Sequence, residues 1–370
     1  MSARCRQGST VAGDVRYDGD TTYGLPRFRW PGGSGPVGTS GRAFWLREPG
    51  AGEIRGVPLP DPGPDEVLVR TSWSGVSRGT ETLVFAGGVP ASQHDAMRAP
   101  FQEGDFPGPV KYGYLNVGVV EHGPPALRGR TVFCLYPHQS AYVVPAEAVA
   151  VVPEGVPAAR AVLAGPVETA VTALWDARPL IGDRVAVVGG GMVGCCVARL
   201  LAGIPGVRVT LVDVDGSRSE VATGLGVGFA LPGAAAGGLD LVVHTSATSA
   251  GLQTSLDLLA PEGEVVELSW YGDAETRVAL GGAFHSGRLA VRASQVGTVA
   301  AARRGTRTRR ERLELALALL RDPAFDVLLT GESPFEELPD VMARLAGGEL
   351  PALCHSLLYP RDEESAACSA

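Results

Sequence analysis

The sequence predicts an α/β protein in which a β-rich domain precedes a doubly wound parallel sheet, and three observations carry that prediction. Short β-branched runs punctuated by Pro and Gly fill residues 42–163, strand patterns alternate with Ala- and Leu-rich helical patterns from 164 onward, and a glycine-rich turn joins the first buried strand of that second region to its helix.

A chain of 370 residues is long enough for two domains, and 45% hydrophobic content supports ordinary packed cores. With no apolar run long enough to span a membrane and no secretory pattern at the N-terminus, a cytoplasmic protein without membrane partners is expected. The net charge of −8 argues against a nucleic-acid partner, which would require clustered positive charge. Six cysteines without a CxxC pair indicate neither a zinc ribbon nor a disulfide framework.

Residues 1–41 are rich in Gly, Ser, Thr and Pro and are expected to be a loose extension. "RAFWLREPG", "DEVLVRTSWSGVS", "LNVGVVEHG", "RTVFCLYP" and "SAYVVPA" read as small-barrel strands. From "AGPVETAVTALWDA" the texture becomes helical, followed by the strands "DRVAVVGG", "VRVTLVDVD", "LDLVVHTS" and "GEVVELSW" with helices between them, through residue 300. Strand–helix alternation implies parallel pairing. Residues 301–360 return to helix and end in the apolar strand "CHSLLYP", leaving 361–370 as a tail.

The strongest chemical signal is "VAVVGGGMVGCCVARLLA" at 185–202, where a strand runs into Gly189-x-Gly191-x-x-Gly194 and a helix that begins with Met192 and Val193. Gly189 serves the tight turn, Gly191 the close approach of a pyrophosphate, and Gly194 the packing of helix on strand. The helix N-terminus offers unpaired N–H groups to phosphates. Asp213 closes the second strand at the distance where the fingerprint places an acid for the adenosine ribose, which favours NAD(H). Ser217 and Arg218 just beyond it leave NADP(H) open, because arginine is the usual partner of a 2′-phosphate.

A β-rich domain ahead of the fingerprint and a return segment behind it resemble the medium-chain dehydrogenase/reductase superfamily over about residues 42–360. "WSGVSRGTETLVFAG" at 73–87 resembles the "SGxSxGTE" stretch of the branch that includes bacteriochlorophyllide dehydrogenases. The resemblance implies a GroES-like catalytic domain at 42–163, a Rossmann domain at 164–300, completion of the catalytic domain by 301–360, and a homodimer. It also implies that zinc is lost: Ser77 stands where the zinc enzymes carry a cysteine ligand, Tyr114 where they carry the histidine of "GHE", and a position near Gly165 where they carry the third ligand. The four-cysteine lobe is missing. A replacement site built from His94, His138 and Glu103 is the metal-binding alternative.

Without a metal to polarise the reacting oxygen, a side chain must supply general acid–base catalysis, typically worth ~10²–10⁴-fold. Tyr114, in the ligand histidine's place, is the first candidate for proton donor. Lys111, the only lysine, is a candidate to lower the pKa of Tyr114 or Tyr112, or to hold a substrate anion. Glu168 is a candidate to orient the nicotinamide ribose or relay a proton, and His138 is a further relay candidate. Arg78 is expected to pair with Glu81 and shape the pocket, while Thr80 reaches the nicotinamide ribose. Trp270 and Tyr271 follow a strand at its ligand-binding end, and "SQVG" at 294–297 resembles the segment that passes the nicotinamide carboxamide. Arg303 and Arg304, within the arginine-rich stretch 302–312, are candidates to grip an anionic group of the small-molecule substrate. The expected reaction exchanges hydride between NAD(H) and a secondary alcohol or ketone, with an intermediate of specialised metabolism, a pterin and a sugar derivative equally admissible as substrate. Reduction of an enone or quinone C=C bond is the alternative, and an inactive dinucleotide-binding protein the third.

Overall fold

The computed structural model describes residues 40–360. Most of the expected N-terminal extension and the whole expected tail lie outside the described residues. Ser40 and Gly41, assigned to that extension, instead open the first strand, Ser40–Glu48.

The second region is a six-stranded parallel sheet in the spatial order Gly228–Ala230, Arg208–Val212, Arg184–Val188, Leu239–His244, Leu259–Glu267, Ala290–Ala293. Two mononucleotide-binding halves wound in opposite directions produce this order, and the reversal falls between Arg184–Val188 and Leu239–His244. Successive residues of a strand face opposite ways. Val185, Val187, Leu211 and Val243 therefore pack with Ala170, Cys195 and Leu201 of the helices Ala164–Ala177 and Met192–Ala202. Ala186, Val188, Val212 and Val242 pack on the other side with Leu252 and Leu256 of the helix Ser249–Asp257. Burial on both faces is why these strands read as unbroken apolar runs.

The β-rich part holds a seven-stranded and a four-stranded sheet. Its hub is the strand Glu66–Ser77, which pairs antiparallel with Asn116–His122, Ala141–Pro145 and Cys354–Leu358. The last of these comes from the far end of the chain, so the C-terminal stretch completes the sheet begun near the N-terminus. At Ser77 the hub strand runs directly into the helix Arg78–Phe85. Among the described residues no helix is long and apolar enough to cross a membrane.

Candidate active site

The three fingerprint glycines differ in their surroundings. Gly189 has φ +112°, the left-handed region that side chains avoid, and a Cβ there would lie 2.7 Å from Ser246 N. Gly194 brings helix onto strand, since a Cβ would lie 2.0 Å from the Gly189 carbonyl oxygen. A Cβ on Gly191 would meet nothing within 4 Å, so the backbone there faces open space. No side chain caps the helix that starts at Met192, so its first N–H groups have no side-chain acceptor. This cradle fits a pyrophosphate.

Asp213 closes the neighbouring strand with its carboxylate at the turn: Gly190 N–H donates to Oδ2 at 2.5 Å and Asp215 N–H to Oδ1 at 2.8 Å. The aliphatic part of Arg218 lies against Gly190, and its guanidinium turns to Asp215 at 3.3 Å. The glycine turn and the Asp213 carboxylate thus lie side by side at the ends of adjacent parallel strands, an arrangement with which a dinucleotide is compatible.

Beside the turn opens a cavity of about 250 Å³ whose walls include Ser77, Thr80, Tyr114, Glu168, Val193, Thr245, Trp270 and Gln295. Five of the expected site residues, Thr80, Tyr114, Glu168, Val193 and Trp270, thus meet at one cleft. The Tyr114 hydroxyl faces the Ser77 and Thr80 side chains; burial and the nearby Glu81 carboxylate push the phenol up to about 12, against a smaller pull from those two hydroxyls. It therefore keeps its proton at neutral pH and stands as a hydrogen-bond donor. Glu168 is buried, its carboxylate receiving Arg312 Nε at 3.0 Å, and Arg312 Nη1 donates on to the Thr298 carbonyl at 3.1 Å. Burial pushes the Glu168 carboxyl up, and Arg312 partly offsets that.

A zinc ion does not fit this cleft. Ser77, Tyr114 and Gly165 do come together, with a Gly165 Cβ position 3.8 Å from Tyr114 Cδ2. They offer a hydroxyl, a proton-bearing phenol and a hydrogen where tetrahedral zinc needs thiolate, imidazole or carboxylate. The alternative trio is scattered among other partners: His94 meets the Val89 carbonyl, Glu103 holds Lys111, and His138 sits on Glu81. Among the described residues no group of three or more His, Cys, Asp or Glu is arranged to hold a metal.

Several expected residues sit elsewhere. Lys111 is directly opposite Glu103 in a short antiparallel pair, so its ammonium is drawn to that carboxylate and to Gln139 Oε1 at 2.7 Å, above the Tyr136 ring. It does not line the cleft, and the phenol of Tyr114 is raised rather than lowered. Glu81 turns inward to Ser77 N–H and His138 instead of pairing with Arg78. His138 is buried behind the cleft wall, and Tyr271 directs its hydroxyl to Glu267 at 2.9 Å while Trp270 faces the cavity. Arg303 and Arg304 lie on an exposed turn ahead of the capped helix Arg309–Leu319, away from the cavity wall. The arginine of that stretch which reaches inward is Arg312, because it falls on the helix's buried face. Met97 and Thr245 line the cleft without having been named as site residues, and Ser294, Gln295 and Val296 of the "SQVG" stretch line it too. For Thr245 the signal was its place at the carboxyl end of a strand beside the reversal point.

No family model matches the chain, and no curated protein sequence matches it. Solved structures do. An L-idonate 5-dehydrogenase of Escherichia coli K-12 is 15% identical with a TM-score of 0.71, the match covering 86% of this chain and 98% of that one. A 2R,3R-butanediol dehydrogenase of Bacillus subtilis is 15% identical with a TM-score of 0.69, covering 87% and 100%. An alcohol dehydrogenase of Escherichia coli CFT073 complexed with the cofactor NADH is 17% identical with a TM-score of 0.68, covering 87% and 100%. At such identities the likeness is one of fold: this chain shares with these proteins a GroES-like β-rich part joined to a doubly wound Rossmann part.

Proposed function

We propose that the protein is an NAD(H)-dependent oxidoreductase that interconverts a secondary alcohol and a ketone without zinc, with residues 42–163 and 301–360 forming its catalytic domain and 164–300 its cofactor domain. One observation carries the reading: the proton-bearing Tyr114 phenol opens onto the same cavity as Val193, which belongs to the uncapped helix of the 189–194 cradle. A nicotinamide coenzyme supplies or accepts the hydride. Gly189, Gly191, Met192 and Gly194 would seat its diphosphate on backbone N–H groups, and Asp213 would receive the ribose hydroxyls and disfavour a 2′-phosphate.

Tyr114 donates a hydrogen bond, then its proton, to the substrate oxygen as negative charge develops there. A phenol near 12 is acidic enough to protonate an alkoxide and too weak an acid to ionise unprompted. Thr80 and Ser77 fix its hydroxyl. Glu168 is locked by Arg312 and shapes the floor. The apolar wall made by Met97, Tyr112 and Trp270 suits a substrate with a hydrophobic body, and among the described residues the one acidic or basic side chain lining the cavity is Glu168. The exposed strand Ala290–Ala293, the open edge of the parallel sheet, supports a homodimer.

The test is fluorescence titration with NADH and NADPH, followed by coenzyme oxidation with a panel of apolar ketones and enones. Tighter binding of NADH and turnover of ketones are expected. Binding of neither coenzyme would end the reading, and turnover of enones alone would replace it with C=C reduction.

A further inference from the structure

Behind Tyr114 runs a chain of four buried polar side chains: Glu81, His138, Ser74 and Tyr359, each less than a tenth exposed. Ser77 N–H donates to Glu81 Oε1 at 2.8 Å, and His138 Nε2 meets Glu81 Oε2 at 2.7 Å. On the other side of the ring His138 Nδ1 meets Ser74 Oγ at 2.7 Å, and Ser74 Oγ meets the Tyr359 hydroxyl at 2.9 Å. One direction satisfies every member: Tyr359 donates to Ser74, Ser74 to Nδ1, and Nε2–H to the carboxylate. The donors all run toward Glu81, which leaves its negative charge at the end nearest the cleft.

The chain also touches two of the segments that shape the cleft around Tyr114. Glu81 holds the N–H of Ser77, whose side chain faces the Tyr114 hydroxyl. The His138 ring lies against Gly113, where a Cβ would come within 2.8 Å of Cδ2 and where φ is +129°. Gly113 is therefore the residue that lets the ring support the backbone carrying Tyr114. A buried polar chain of this kind is costly unless fully satisfied, and a fully satisfied one fixes geometry.

We propose that Glu81 and His138 are the positioning pair of the cleft: the carboxylate fixes the 77–81 turn, the imidazole fixes the 113–114 segment, and together they hold the Tyr114 hydroxyl against Ser77 and Thr80 with its proton in place. The proposal rests on Tyr114 being the proton donor. The other groups facing Tyr114 are Tyr112, edge-on with ring centroids 6.1 Å apart, the Cys354 thiol, pushed up to about 12 by burial, and Glu168, tied to Arg312. Glu81 is thus the anion whose removal should be felt at the phenol.

The test places 3-fluorotyrosine, a more acidic phenol, at position 114 of the full chain and follows its fluorine resonance against pH. In Glu81→Gln the midpoint should fall by about one unit, a tenfold change in the ionisation constant. Glu81→Asp should restore most of it, and also serves if the amide variant fails to fold. His138→Gln should split or shift the resonance at neutral pH while NADH affinity stays constant. An unmoved midpoint in Glu81→Gln together with a single unshifted line in His138→Gln would overturn the proposal. Failure of Tyr114 as proton donor reads out separately, as normal turnover in Tyr114→Phe.

Discussion

Arg312 Nε lies 3.0 Å from a carboxylate oxygen of Glu168, and both side chains are buried. The pair joins the helix Arg309–Leu319 of the C-terminal stretch to the cleft helix Ala164–Ala177. A buried charge that loses its partner is far more costly than the intact pair is valuable.

Arg312→Met should therefore destabilise the protein by about 3–5 kcal/mol at pH 8. Arg312 holds the Glu168 carboxyl down, so its loss moves that group further up. A carboxyl whose folded-state pKa lies above its unfolded value favours folding most below the unfolded pKa and loses that contribution as pH rises through the folded one. Urea melts should accordingly show the variant recovering toward pH 5, and Arg312→Met/Glu168→Met recovering at both pH values. An equal deficit of the single variant at pH 5 and pH 8 would refute the assignment.

Gly191 and Gly194 should fail in opposite ways. Gly191 has φ −77° and open space where a Cβ would go, so Gly191→Ala should cost less than about 1 kcal/mol of stability. Its methyl would stand where a pyrophosphate approaches, and NADH affinity should fall at least about tenfold, or 1.4 kcal/mol. Gly194→Ala meets the Gly189 carbonyl at 2.0 Å and should destabilise the fold itself by about 1–3 kcal/mol. Thermal melts and fluorescence titration of both variants check this, and equal melting losses would count against it.

Tyr114→Phe should cut ketone turnover by ~10²–10⁴-fold, the usual worth of a positioned proton donor. NADH affinity should hold. Because the phenol lies near 12, the wild-type rate should show no limb from Tyr114 ionisation between pH 6 and pH 9. Near-normal turnover would remove Tyr114 from the chemistry.

Dialysis against a chelator should leave turnover intact, since Ser77, Tyr114 and Gly165 provide no ligand set. Elemental analysis showing one zinc per chain, with activity lost on its removal, would reverse that expectation.

The doubly wound sheet was legible in the sequence because two local signals agree there: apolar runs such as Val185–Val188 and Leu241–Val243, and glycines at fixed spacing. The turn at Gly189 and the close packing at Gly194 follow from backbone geometry alone, which is why the conformation and the contact are both seen in the structure. Partners of charged side chains were not legible. Lys111 finds Glu103 through an antiparallel register, Glu81 finds His138 across 57 positions, and Arg312 finds Glu168 across 144. Pairings over such separations depend on how sheets and helices close upon one another, and no window of sequence encodes them. Tyr114 could be placed because its neighbours along the chain carried the resemblance, whereas Ser74 and Tyr359 join only when the last strand docks beside the hub strand.

Gly165 leaves no spare room in the wall of the cleft. A side chain there would begin 2.5 Å from Cδ2 of Leu115, a fully buried leucine of the main core. A larger residue at 165 would press on that methyl, so Leu115 would have to turn or shift before any side chain could enter, and the core and this wall of the cleft can change only together.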